Sequence, residues 1–228
     1  MYYGIDIYYI ILVIPAIILS MIAQAKVSGT FKKYSSIFSK KGMTGEDTAN
    51  LIMMKNGISD VTVKPIKGQP TDNFNPRTKE ISLSEPVYNS SSIAAIGVAA
   101  HESGHAVQHH TGYLAIKLRN AVLPAAQIGS SAAMPMALLG IVFGMPALIN
   151  AGILLFSAVV LFQVVTLPVE FNASRRAVTI LRETGVLSEE ELVGAKKVLS
   201  AAALTYVAAM LTSLMSLIRL ILLSRRRR

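Results

Sequence analysis

A chain of 228 residues with 52% hydrophobic and only 15% charged residues is too apolar for an ordinary water-soluble domain and reads as a membrane protein. Its formal net charge is +9, but no aromatic pattern interleaves with the basic residues, which argues against nucleic acid as a partner. The chain has no cysteine, so disulfides and zinc-thiolate sites are excluded, and any metal must be held by histidine and carboxylate.

Four runs approach the roughly 20 apolar residues needed to cross a bilayer core: Ile7 to Ala23, Pro124 to Phe143, Ala147 to Val169 and Ala201 to Leu223. The first has no basic segment before it and no convincing small-residue cleavage site after it, and reads as a retained anchor over residues 1–25. Lys26, Lys32, Lys33, Lys40 and Lys41 follow it, a juxtamembrane cluster suited to anionic lipid. Residues 26–120 are the only sizeable polar region and must carry the chemistry. Within it, Thr44 with Glu46 and Asp47 predicts a capped amphipathic helix that stops at Asn56-Gly57. Val61, Val63 and Ile66 alternate like a strand, residues 67–78 read as a loop, and Glu80 to Ser84 alternates as a second strand. Ser90 to Ser92 offers an N-cap to a helix from Ile93 to His110. Residues 121–169 carry no charge and form a helical hairpin whose tip is Gly144-Met145-Pro146. A helix over Glu170 to Glu183, closing at Gly185, and another that starts near Glu189, with Ser188 and Glu191 as a capping box, make up residues 170–200. Residues 201–228 are a last span with an arginine tail. The fold class expected is therefore a mainly α integral membrane protein, with about four transmembrane helices and a small α+β catalytic domain.

All four histidines of the chain fall between His101 and His110. At 3.6 residues per turn, His101 and His105 of the His-Glu-Ser-Gly-His sequence lie one above the other on one helix face, within reach of a single zinc ion. Glu102 is turned about 100° from His101, so it can face a water beside the metal rather than the metal itself. The pattern fits metal-assisted hydrolysis of a peptide bond, with Glu102 as general base. His105 and His109 also have the spacing but lack a suitably placed glutamate, and His101 and His109 are about 12 Å apart along the helix, too far for one ion. A third ligand must come from elsewhere. Glu170 is the first charge after an uncharged stretch, and a bare carboxylate there is costly unless compensated. The compensation could be zinc, or an ion pair with Arg175 or Arg176; Glu80, Glu85 and Asp72 are further ligand candidates.

Several stretches carry a resemblance: Asn75-Pro76-Arg77, Ile81-Ser82-Leu83-Ser84, Tyr88, Ser92-Ile93-Ala94-Ala95, the segment from Ala99 through His101, Glu102, Gly104 and His105 to Gln108, Leu167 to Arg176, and Ala201 to Ala209. Together they resemble the YugP-like neutral zinc metallopeptidases of bacterial membranes, and more distantly the HtpX and CAAX-prenyl-protease group of gluzincins. The resemblance implies a zincin-like catalytic domain, Zn2+ as cofactor, and Glu170 as the glutamate ligand supplied from beyond a membrane hairpin. His110 and Ser174 stand where HtpX-like enzymes carry acidic residues, so the contacts of those acids do not transfer. Tyr88, Arg175 and Arg176 are candidates for transition-state stabilisation.

The reading is a zinc-dependent membrane endopeptidase, catalytic residue Glu102, metal ligands His101, His105 and Glu170. Its partners are a peptide or membrane-protein substrate and the lipid bilayer, and the sequence carries no signature of oligomeric state. Ile81, Ser82 and Leu83 are expected on an edge strand that binds the substrate backbone. A non-enzymatic membrane scaffold or metal-binding protein is the rival; it would need the histidines but not Glu102. An intramembrane site-2-like protease would place the motif within an apolar span and add a Leu-Asp-Gly motif, and neither is present. Basic residues beside all four spans place residues 26–120 and 170–200, and the zinc site, on the cytoplasmic side of the cell membrane, with the N-terminus, the tip around Met145 and, against the rule, Arg225 to Arg228 on the other.

Overall fold

The computed structural model describes residues 6–67 and 72–225. The described chain is mainly helical, with a single small sheet. Among the described residues, four helices are long and apolar enough to cross a membrane: Tyr9–Ser35, Leu114–Val142, Pro146–Glu183 and Glu189–Arg225. The first opens with a π-helical stretch, Tyr9–Val13, and continues as α1 (Ile14–Ser35). The chain divides into two compact units, each discontinuous in sequence.

One unit comprises residues 1–24, 117–168 and 204–228. It contains most of α5 (Leu114–Val142) and the first part of α6 (Pro146–Glu183), joined by a turn in which Gly144 adopts φ +64°. Small residues bring these helices together: a β-carbon on Gly152 would lie 2.8 Å from the Ala133 carbonyl oxygen. In the same unit, Arg219 donates from Nε and Nη2 to Asp6 Oδ2 at 2.9 and 2.6 Å and lies 5.0 Å from the centre of the Tyr9 ring. Arg219 therefore does not interrupt α7 (Glu189–Arg225), because its charge has a partner; the tail residues 226–228 lie outside the described residues. Removing Asp6 strands the guanidinium. Asp6→Ala is expected to cost on the order of 1–3 kcal/mol, read as a lower midpoint in detergent melts, with Arg219→Met restoring much of the loss.

The second unit comprises residues 25–116 and 169–203. Its helix α2 (Gly45–Lys55) starts at a complete capping box: the Thr44 side chain accepts from Asp47 N at 3.1 Å, and Asp47 Oδ2 accepts from Thr44 N at 2.9 Å. Strands β1 (Thr62–Ile66), β2 (Asn73–Asn75) and β3 (Glu80–Ser84) form a sheet in the order β1-β3-β2, with β3 parallel to β1 and antiparallel to β2. The β2–β3 connection is an Asx-type turn in which Asn75 Oδ1 accepts from Arg77 N at 2.9 Å. After the short α3 (Glu85–Tyr88), Ser92 caps α4 (Ile93–His110) by accepting from Ala95 N at 3.2 Å. The core joins Ile52 of α2, Ile81 and Leu83 of β3, Ile96 of α4, Leu181 of α6 and Leu192 of α7, all fully buried.

Two expectations change. Glu170 to Glu183 is not a separate helix but the end of α6, and continuous helices run across 25/26, 120/121, 169/170 and 200/201, positions within four residues of the divisions between the two units. A change from apolar to polar residues marks a change of surroundings, whereas a helix ends where capping chemistry intervenes, as at Gly185 with φ +61°. Secondly, Ile81, Ser82 and Leu83 do not lie on an edge strand. Both sides of β3 are paired, and Ile81 and Leu83 are wholly buried, so a peptide cannot add to this strand by backbone hydrogen bonding.

Candidate metal centre

The centre is built by two helices of the second unit. On α4 the buried face is lined by Ala95, Ala99 and Ala100, and α2 packs against this helix. On α6 the inward stripe runs through Glu170, Ala173, Ala177 and Leu181, at helical spacing and 3% exposed or less. The helices touch where side chains are absent. A β-carbon on Gly104 would sit 2.7 Å from the Ala173 carbonyl oxygen, closer than packed atoms tolerate, so this glycine sets the approach of α6 to the histidines.

That approach delivers the Glu170 carboxylate to both imidazoles. Glu170 Oε2 lies 3.2 Å from His101 Nε2 and 3.5 Å from His105 Nε2, and the three side chains are only 4%, 13% and 12% exposed. The two rings stand nearly perpendicular, at 85°, with centres 4.7 Å apart. The three donor atoms all lie within 4.8 Å of one another, and this trio is the only such group among the described residues.

The outer nitrogens of both rings are engaged. His101 Nδ1 meets Ser174 Oγ at 3.1 Å, and His105 Nδ1 meets Gln108 Oε1 at 3.0 Å. Gln108 Oε1 can only accept, so His105 Nδ1 carries a proton, and a neutral ring would direct the Nε2 lone pair toward Glu170. A lone pair facing a carboxylate requires a cation between them. The spacing suits one: donors about 2.0–2.2 Å from a tetrahedral zinc stand roughly 3.3–3.5 Å apart, close to the two separations found. Without a metal, a proton serves instead. Burial alone would push the His105 imidazole down, but its hydrogen bond to Glu170 and the charges of Glu102 and Glu170 outweigh it and hold it above its ordinary value. Burial pushes the Glu102 carboxyl up, against the pull of His101 and His105, with the charges of Glu170 and Asp72 adding to the rise.

The other candidates are occupied elsewhere. Glu80 pairs with Lys64, Asp72 Oδ1 accepts from Ser84 N at 2.6 Å, Glu85 begins α3, and the exposed His109 meets the Phe74 ring edge-on at 6.0 Å. Tyr88 is bound to Glu46, which raises its hydroxyl pKa to about 12. Arg175 is exposed. Arg176 donates from Nε to Asn172 Oδ1 at 2.8 Å and lies 6.0 Å from the centre of the Tyr113 ring. In the sequence Gly104 and Gln108 carry the resemblance without an assigned role, and Asn172, two residues past Glu170, carries no signal of its own.

Residues 9–225 match the family model described as "Putative neutral zinc metallopeptidase". The chain belongs to this family. A similar protein is the "Putative membrane protease YugP" of Bacillus subtilis (strain 168), 48% identical over 215 residues, which cover 94% of this chain and 96% of the relative. No solved structure matches. The family's zinc peptidase description agrees with the chemistry of the donor set, two imidazoles and one carboxylate with no thiolate, and four membrane-length helices in this member agree with a relative named as a membrane protease.

Proposed function

We propose that the protein is a zinc-dependent membrane endopeptidase of gluzincin type, with a zincin-like catalytic unit, in which His101, His105 and Glu170 hold the metal and Glu102 is the general base. The observation that carries this reading is the convergence of His101 Nε2 and His105 Nε2 on the Glu170 carboxylate, at 3.2 and 3.5 Å. Zinc, when bound, polarises the peptide carbonyl and lowers the pKa of a water to about 7. Glu102, next to His101 but not in the ligand trio, takes the proton of the attacking water and returns it to the leaving amide nitrogen. A scaffold or metal store would have no use for a half-buried carboxylate at that position. With β3 closed on both sides, the strand that pairs with an extended peptide is β2: it is an edge among the described residues, and it packs beside α4.

The test is metal removal. Purified protein in detergent is expected to carry one zinc and to cleave unstructured peptides, to lose both on dialysis against a strong chelator, and to regain both with stoichiometric zinc. Peptide cleavage undiminished in the metal-free protein would overturn the reading. Zinc retention is also expected to weaken as pH falls, because a proton competes for His105 Nε2.

The segments that join the first span to the second and the third to the fourth lie in the cytoplasm on this reading, and the hairpin tip between the second and third lies outside. The support is Lys26 to Lys41 after the first span, Lys117 and Arg119 at the second, Arg175 and Arg176 at the third, and Lys196 and Lys197 at the fourth. The chain lacks native cysteine, so single cysteines report cleanly. On intact cells a membrane-impermeant thiol reagent is expected to label Met145→Cys, at an exposed hairpin tip, but not Ser36→Cys, also exposed, until the cells are opened. The reverse pattern would invert the orientation.

A further inference from the structure

The side chain of Gln108 is fully buried, lies one turn beyond His105, and has all of its polar capacity committed. Its Nε2 donates to the Val169 carbonyl oxygen at 2.8 Å and to Asn172 Oδ1 at 3.0 Å. Asn172 Oδ1 also accepts from Arg176 Nε at 2.8 Å, and a guanidinium can only donate. The direction of the chain of bonds is therefore fixed from both ends. The Val169 carbonyl cannot turn, Arg176 holds the oxygen of Asn172 toward Gln108, and the amide of Gln108 has one orientation that satisfies both. That orientation leaves Oε1 to accept from His105 Nδ1.

From this network we infer that Gln108 is a positioning residue for two metal ligands at once. It sets the tautomer and rotation of His105 through Oε1, and it ties α4 to the backbone of the residue before Glu170 through Nε2. A carboxylate could perform the first task, since it accepts a hydrogen bond, but not the second, since it has no hydrogen to give to Val169 or Asn172. This accounts for an amide at a position where metal sites commonly place a carboxylate or a carbonyl behind a histidine. The inference rests on the zinc reading, and its test separates the two.

The experiment measures zinc affinity of the full-length protein by competition with a chelator of known strength, with helicity and metal-free melting recorded alongside. Gln108→Met, which keeps the volume, is expected to weaken zinc binding about 10- to 100-fold without changing the stoichiometry at saturating zinc. Gln108→Glu is expected to lose a comparable amount, because its carboxylate would face the Val169 carbonyl and Asn172 Oδ1. Asn172→Asp, which still accepts from both neighbours, is expected to stay within about threefold of the parent. In zinc-loaded protein labelled with 15N-histidine, the His105 Nδ1 proton is expected to exchange slowly with water, and faster in Gln108→Met. Parent-like zinc affinity in both Gln108 variants would overturn the positioning role, as would parent-like affinity in Gln108→Glu alone for the tie to α6. Absence of zinc binding in the parent itself would instead overturn the metal reading.

Discussion

Glu102→Gln is expected to keep zinc at one equivalent while peptide hydrolysis falls at least a thousandfold. The ligand trio does not include Glu102, so exchanging its carboxylate for an amide removes no bond to the metal. What it removes is the only proton acceptor that the motif sets beside the ligands, and general acid–base groups contribute about 10²–10⁴ in rate. The same substitution takes away a carboxyl whose pKa burial has raised. The sign follows: above the ordinary carboxylate range the folded state bears a cost of ionisation that the unfolded chain does not, so metal-free Glu102→Gln is expected to melt higher than the metal-free parent at neutral pH, with the difference vanishing in acid. The measurement pairs elemental analysis and a peptidase assay with melting curves at two pH values. Turnover at the parent rate would remove Glu102 from the mechanism, and equal melting at neutral pH would contradict the cost assigned to its burial.

Gly104→Ala is expected to weaken zinc binding at least a hundredfold although it replaces no ligand. The added methyl would stand 2.7 Å from the Ala173 carbonyl oxygen and 3.3 Å from the carbonyl carbon behind it, atoms of a helix backbone that cannot rotate away. Relief requires α4 and α6 to part, and a movement of a few tenths of an ångström at residue 104 is passed to Glu170, one turn before Ala173. With donor separations of 3.2 and 3.5 Å, there is little slack before the carboxylate leaves the reach of an ion bound at about 2.0–2.2 Å. The expected result is zinc affinity lowered at least a hundredfold and a destabilisation of about 1–3 kcal/mol from overpacking. Zinc binding by Gly104→Ala at parent strength would show that the helices separate without disturbing the ligands. Gly97→Ala serves as a control on the same helix, because its β-carbon would meet Ala195 at an ordinary 3.6 Å.

The parts of this molecule that could be read from the sequence are those set by local chemistry. Thr44 with Asp47, Ser92, and Ser188 with Glu191 cap helices within a few residues of themselves, and helix α4 runs from Ile93 to His110, as its cap and periodicity predict. The histidine pair follows from helical spacing alone. Glu170 stood out as third ligand by its isolation after an uncharged stretch and by the family resemblance rather than by any local rule, since it lies 69 residues from His101 in sequence; the fold brings its carboxylate to both imidazoles. The position of β3 was illegible. Its second neighbour, β2, is only Asn73–Asn75, three residues in a stretch whose Asn, Asp and Pro content reads as loop, so the strand looked like an edge. The long helices α6 and α7 were cut short in the reading because charge reappears at Glu170 and falls away after Lys197, although neither position breaks the backbone. Ser174 was visible as a departure from an acidic residue; that it meets His101 Nδ1 at 3.1 Å needed the geometry of α6.

The unit that contains the metal centre is assembled from residues 25–116 and 169–203, with the apolar hairpin between them belonging to the other unit. During synthesis, His101, His105 and Glu102 therefore emerge well before Glu170 and Ser174. The early segment also lacks much of its core, because Ala177, Leu181, Val186, Leu187, Leu192, Ala195, Val198 and Leu199 pack there only after the hairpin has been made. Domains fold as units when their chain is complete, so the order of the gene imposes a delay: the nascent chain holds His101, Glu102 and His105 without Glu170 until both hairpin spans have been translated. Ribosome-bound chains released at residue 168 would expose an unfilled apolar face and no complete centre, whereas chains released at residue 203 would contain every residue that the site and its core require.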